Sequence, residues 1–185
     1  MSRRFVLLDR DGTINEERDH LADPDEVTLI PGAARSIRAL RDELDCGVVC
    51  LTNQADVGRG RLPLSTLEAI NARLEALLDA DGARLDAILV CPHRPEDACG
   101  CRKPAPGLAL DAATRFGFDP SSAFVIGDHA GDVGLGHAIG ARTFLVLTGH
   151  GGEEVRQAGA RADHVVPDLA AAVVIIASLQ DAGGN

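Results

Sequence analysis

The sequence predicts an α/β fold: a doubly wound, mostly parallel sheet with helices on both faces. Short apolar runs, too brief for helices, recur along the chain. Between them lie segments with apolar residues every three or four positions. Strands that are apolar along their whole length belong to parallel sheets covered on both sides. Their alternation with helices is the pattern of a doubly wound sheet. One further observation bears on chemistry. The first apolar run ends in Asp9-Arg10-Asp11-Gly12-Thr13, and ligands of open α/β sheets bind at the carboxyl edge of the strands.

The first strand is Phe5–Leu8, ended by Asp9. Runs at 47–52, 87–91, 123–127 and 143–147 share its character, and 164–166 is a shorter sixth. Segment 32–44 carries Ala33, Ile37, Leu40 and Leu44 at helical spacing. Ser65 is the expected cap of a helix with Leu67, Ile70, Leu74, Leu77 and Leu78 on its buried face, and Glu68 stands at the capping-box position. Segments 108–116, 132–139, 153–158 and 168–180 complete the helices. Residues 181–185 are expected to be loose. With no repeat, linker or low-complexity tract, residues 1–185 are expected to form one domain.

Bulk composition excludes several classes. The chain has 185 residues, 45% of them hydrophobic, enough for a real core. It has five Phe and no Tyr or Trp, hence no aromatic platform for stacking bases. Its net charge is −10 and it shows no basic stripe, so no nucleic-acid partner is expected. The longest apolar stretch, 169–179, is interrupted only by Ser178 and is far too short to span a membrane. The apolar run after the basic N-terminus ends at Asp9, too early for a signal peptide. A soluble, cytoplasmic monomer is expected.

Segment 92–106 interrupts the pattern: it is rich in Pro, Cys, Gly and charge and has no periodicity. Cys91, His93, Cys99 and Cys101 are spaced C-x-H, five residues, C-x-C. Three thiolates and an imidazole make a tetrahedral zinc set with no open position, so a structural Zn²⁺ is expected to hold a loop at about 91–106. Chance thiols or a redox pair are the alternatives. Cys46 and Cys50 lie at or in a buried strand and are expected to be inert.

Other strand ends carry anion-binding groups. Thr52, Asn53 and Gln54 follow the second strand, and Arg59 and Arg61 come soon after. Arg102 and Lys103 emerge directly from the cysteine loop, one a bidentate fork and the other a point charge for phosphate. Asp128 ends another strand, with Asp132 four residues on. Helix capping would account for either alone. Acids converging with Asp9 and Asp11 on one edge repel one another unless a hard cation sits among them, and Mg²⁺ fits.

Taken in order, D-R-D-G-T (9–13), L-T-N (51–53), K-P (103–104) and G-D-x-x-x-D (127–132) resemble the haloacid dehalogenase superfamily of phosphotransferases. That family has a Rossmann-like sheet. The small, nearly capless branch of heptose-bisphosphate phosphatases and histidinol-phosphatase relatives is more similar still. It shares T-N-Q, the cysteine loop and C-R-K-P-x-P-G, here Cys101 to Gly107.

The resemblance implies a Mg²⁺-dependent phosphatase of a small phosphorylated metabolite. Asp9 would be the nucleophile and Asp11 the acid and base. Thr52 and Lys103 would hold the phosphoryl oxygens. Mg²⁺ would sit between Asp9, the Asp11 carbonyl and Asp128, and Zn²⁺ on the cysteine loop. The loop Glu17 to His20, with Asp19 and His20, would face the substrate together with Asn53, Gln54, Arg102 and His129. The implied reaction is loss of the 7-phosphate from D-glycero-D-manno-heptose 1,7-bisphosphate. Histidinol phosphate, another sugar phosphate, or a non-catalytic phosphosugar-binding role are the alternatives.

Three positions depart from the branch. His129 replaces a common Lys, and a protonated imidazole is expected to replace its charge in part. Ala55-Asp56 replaces Ser-Gly and is expected to add negative charge near the anionic ligand. Asp19-His20 replaces a glycine and an aromatic.

Overall fold

The computed structural model describes residues 3–156 and 161–182. Six strands form one sheet: β1 (Phe5–Leu8), β2 (Gly47–Asn53), β3 (Ala87–Cys91), β4 (Phe124–Gly127), β5 (Arg142–Val146) and β6 (His164–Val166). Every pairing is parallel, in the order β3-β2-β1-β4-β5-β6. The chain winds from β1 outward through β2 to β3, then returns and winds the other way from β4. The switch point therefore lies between β1 and β4, where a crevice opens at the carboxyl ends.

Seven helices accompany the strands among the described residues: α1 (Ala33–Asp42), α2 (Ala55–Gly58), α3 (Leu64–Ala80), α4 (Gly107–Phe116), α5 (Ala130–Ile139), α6 (Gly151–Glu154) and α7 (Leu169–Ala182). Strand alternation divides the core. Val6, Leu8, Val48, Cys50, Phe124 and Ile126 face α1, α3 and α7, while Phe5, Leu7, Val49, Leu51 and Val125 face α4 and α5. Both faces are covered, as the uninterrupted apolar runs predict. Each buried Leu, Ile or Phe contributes about 1.5–3 kcal/mol of transfer free energy. No described helix is long and apolar enough to cross a membrane.

Strand and helix ends differ from expectation where local geometry intervenes. Helix α3 starts at Leu64, with Pro63 as its cap and no capping side chain. The Pro63 carbonyl accepts from Thr66 and Leu67, so the helical ladder begins before Ser65, which sits inside the first turn. Helix α5 starts two residues earlier than expected because His129 caps it, with Asp132 closing a capping box. The expected helix at 153–158 begins instead at Gly151; residues 157 and 158 lie outside the described residues. Helix α7 extends through Asp181 to Ala182, so the expected loose tail is shorter; residues 183–185 lie outside the description. The helix α2 has no periodicity to reveal it at four residues.

Candidate active site

Strand β1 delivers the first carboxylate. The Asp9 amide donates to the Ile126 carbonyl at 2.9 Å, which continues the β1–β4 pairing to the switch point. The chain then turns tightly: Ile14 and Asn15 amides donate to the Arg10 carbonyl, and Gly12 to that of Asn15. Gly12 is required twice over. Its φ is +75°, and a Cβ there would run into the Asp128 carboxylate. The turn thus brings Asp9, Asp11 and Asp128 to one cavity of about 260 Å³, which Thr52, Lys103 and Asp132 also line.

Lys103 is the buried cation of this cavity. Its Nζ lies 2.8 Å from Asp9 Oδ1, 2.7 Å from Asp132 Oδ1 and 2.7 Å from the Leu51 carbonyl. All three N–H donors are used. Burial opposes its charge, but Asp132 and Asp9 outweigh that and hold the ammonium above its usual pKa. Asn53 clamps the same residue from the main chain, accepting from the Lys103 amide at 3.1 Å and donating to its carbonyl at 3.2 Å. The sequence placed Asn53 against substrate; its amide is spent on holding Lys103.

Asp11 is aimed by three donors. Arg10 reaches it through Nε and Nη2, Asn15 through Nδ2 at 2.8 Å, and Gln54 through Nε2 at 2.9 Å. Gln54 also donates to Thr52 Oγ1 at 2.8 Å, tying the hydroxyl and the second carboxylate together. Arg10 is 1% exposed and is held at its far end by Asn71 Oδ1. Sequence reasoning missed Arg10 and Asn15. Their only signal was position: Arg10 stands between the two aspartates, and its buried guanidinium bridges Asp11 and Asn71 at the cavity wall.

Burial and mutual repulsion perturb the acids. Asp9 is pushed up to about 7, first by burial and then by the charge of Asp132, against the pull of Lys103. Asp128 is pushed up to about 6 by burial and by Asp9. Its Oδ2 accepts from the His150 amide at 2.8 Å. Glu17, also on the cavity wall, is pushed up to about 7 by burial and by Asp11. Glu17 belongs to the loop expected on the substrate side, whereas His150 was not singled out in the sequence.

Of the expected substrate-facing residues, Arg102, Asp19, His20, Asn53 and Gln54 line the cavity. His129 also reaches its wall, but both ring nitrogens are engaged: Nδ1 accepts from the Gly131 amide at 3.2 Å, and Nε2 lies 3.3 Å from Glu154 Oε1. It serves as a helix cap paired with an acid. Asp56 does not present an unpaired charge either. His20, Arg59 and Arg61 surround it and, despite partial burial, hold its carboxyl below the usual range.

A HAD-hydrolase-like family model matches residues 100–172. The D-glycero-beta-D-manno-heptose-1,7-bisphosphate 7-phosphatase of Bordetella bronchiseptica is 37% identical over 170 residues, covering 91% of this chain and 94% of that protein. The chain belongs to this heptose-bisphosphate phosphatase family. A crystal structure of the B. bronchiseptica D,D-heptose 1,7-bisphosphate phosphatase, complexed with magnesium and phosphate, superimposes with a TM-score of 0.84 at 35% identity, over 96% of this chain and 99% of that one. The alpha-anomer 7-phosphatase of Mycobacterium tuberculosis is 37% identical over 139 residues, covering 74% of this chain and 73% of that protein. Heptose-bisphosphate phosphatases are phosphoric monoester hydrolases, and the converging Asp9, Asp11, Lys103 and Asp128 are groups suited to that chemistry.

The cysteine loop closes on itself. Cys91, Cys99 and Cys101 sulfurs lie 3.1–3.6 Å apart, and His93 Nδ1 lies 3.2 Å from Cys101 Sγ and 3.7 Å from Cys91 Sγ. Disulfides would need about 2.05 Å. Thiolates bound to one Zn²⁺ at about 2.3 Å stand about 3.8 Å apart at a tetrahedron's edge. The donor set therefore fits zinc. Cys46 and Cys50 are buried apart from it, and burial pushes both thiols up, as expected of inert core residues.

Two predictions follow from the electrostatics. Arg10→Gln removes the fork that aims Asp11, so kcat is expected to fall about 100-fold with a smaller change in KM; steady-state kinetics measure this, and an unchanged kcat would show that Asn15 and Gln54 suffice. Asp9, Glu17 and Asp128 have folded pKa values raised from 3.8, 4.5 and 3.8 to about 7, 7 and 6. Such groups favour the fold while protonated, and that stability is lost as pH rises through the folded values. Carboxyls held low, such as Asp56, lose their contribution only below about pH 4. In Mg²⁺-free buffer the thermal midpoint is therefore expected to fall from about pH 5 to about pH 8, and Asp9→Asn to flatten that slope.

Proposed function

We propose that this protein is a Mg²⁺-dependent phosphatase that removes the 7-phosphate of D-glycero-D-manno-heptose 1,7-bisphosphate through an aspartyl-phosphate on Asp9. The observation that carries it is the pairing of Asp9 with buried Lys103 beside an independently aimed Asp11. One carboxylate is held to attack and the other to move protons.

Asp9 Oδ1 is held by the Arg10 amide at 2.7 Å and by Lys103, while Oδ2 accepts no hydrogen bond among the described residues. Oδ2 is thus the freer oxygen to attack phosphorus. As Asp9 becomes an acyl phosphate it loses its charge. Lys103 then exchanges that contact for a phosphoryl oxygen, and Thr52 Oγ1 donates to another. Asp11 protonates the leaving alkoxide. Left as carboxylate, it takes a proton from the water that hydrolyses the acyl phosphate.

Asp9, Asp128 and Asp132 offer oxygens that lie within 4.8 Å of one another. Lys103 neutralises only part of that charge, which suits a hard cation. Asp132 is spent on Lys103 and the His129 amide, so Asp9, Asp128 and the Asp11 carbonyl would hold Mg²⁺. The ion supplies the charge that lets an anionic phosphoryl group approach an anionic nucleophile. Zn²⁺ on Cys91, His93, Cys99 and Cys101 would fix the loop from which Arg102 and Lys103 project.

Heptose 1,7-bisphosphate is expected to be hydrolysed at position 7 with Mg²⁺ present, in preference to histidinol phosphate; the reverse preference would sink the heptose assignment. Asp9→Asn is expected to reduce turnover at least about 1,000-fold while the circular-dichroism spectrum is kept. Near-parent activity would exclude the covalent route. Elemental analysis of protein purified without chelator is expected to give about one zinc per chain, and Cys99→Ala to lower it.

A further inference from the structure

A bisphosphate brings two dianionic groups, and the buried cations around Asp9 are already engaged by protein groups. Lys103 is saturated by Asp9, Asp132 and Leu51, and Arg10 by Asp11 and Asn71. The second phosphate must therefore meet cations on the outer wall of the same cavity. Arg18, Arg59 and Arg102 line it there.

Arg59 differs from the other two in having an acid placed to hold it. Asp56, one turn earlier, accepts from Arg59 Nη1 at 3.4 Å. The other carboxylate oxygen lies 2.7 Å from His20 Nδ1. Asp56 also anchors the turn that follows, since its carbonyl accepts from the Arg61 and Leu62 amides. The bridge to His20 spans 36 positions of sequence and joins the loop after β1 to helix α2, across the cavity mouth. The Asp56 charge is consumed by His20, Arg59 and Arg61 and costs an anionic ligand little. What remains is a wall that presents the Arg59 guanidinium, 38% exposed and, among the described residues, engaged through one nitrogen, which leaves most of its donors for an anion.

We propose that Arg59 is a specificity-determining contact for the substrate's distal phosphate, and that Asp56 and His20 are positioning residues that fix it at the cavity mouth. This rests on the bisphosphate assignment above. It goes further in naming the side chain that distinguishes a bisphosphate from the monophosphate. Exposed ion pairs such as His20–Asp56 add little to folding, so variants there are expected to stay folded.

The test compares kcat/KM for heptose 1,7-bisphosphate with that for heptose 7-phosphate, and for fructose 1,6-bisphosphate with that for fructose 6-phosphate. Arg59→Gln is expected to lower the bisphosphate preference at least about tenfold, chiefly through KM, as loss of a charge-assisted contact does. Asp56→Asn is expected to lower it in the same direction, and Asp56→Glu to restore part of it. An Arg59→Gln enzyme with undiminished preference would overturn the proposal. So would a parent enzyme that prefers neither bisphosphate. A parent that prefers fructose bisphosphate but ignores the heptose pair would overturn only the heptose assignment.

Discussion

The site depends on one buried ammonium. Lys103 sits among Asp9, Asp132 and the Leu51 carbonyl, with no donor left over. An unpaired ammonium in that place would carry a large desolvation penalty. Without it, Asp9 and Asp132 would face each other as buried like charges. Each group makes the others tolerable, so the three form a unit. Asp132 also caps helix α5, which makes the unit part of the scaffold as well as of the chemistry.

The sheet and the cysteine loop both serve that contact. Asp9 comes from the end of β1, Thr52 and Asn53 from β2, and Asp128 from the end of β4. The reversal of strand order between β1 and β4 leaves room for them to meet. Lys103 has no strand of its own. It is held on one side by Asn53, through both main-chain groups, and follows two residues after Cys101 on the other.

The strands were legible because their apolar runs report burial directly, and three of six had their ends placed to the residue. Helix starts were less legible. Ser65 had the chemistry of a cap, but Pro63 supplied the first accepting carbonyl. Asp9, Asp11, Thr52, Lys103 and Asp128 were visible as candidates at strand ends and on the loop, and the fold brings them to one cavity. Arg10 and Asn15 were not, because supporting residues are defined by what they touch rather than by what they can do. His129 and Asp56 were visible as departures, but their partners were not. A charge counted from sequence says nothing of its partner, and Glu154 and His20 lie 25 and 36 positions away.

The sequence alone determined the alternating fold, the acids at the strand ends and the ligand types of the cysteine loop. These follow from residue type and spacing, which local physics reads directly. Tertiary structure decided which carboxylate pairs with Lys103 and which with Arg10, and where Lys103 spends its three donors. It also decided that His129 is a cap and that Asp56 pairs with Arg59. Each of those outcomes depends on distances between residues remote in sequence, and only folding sets such distances.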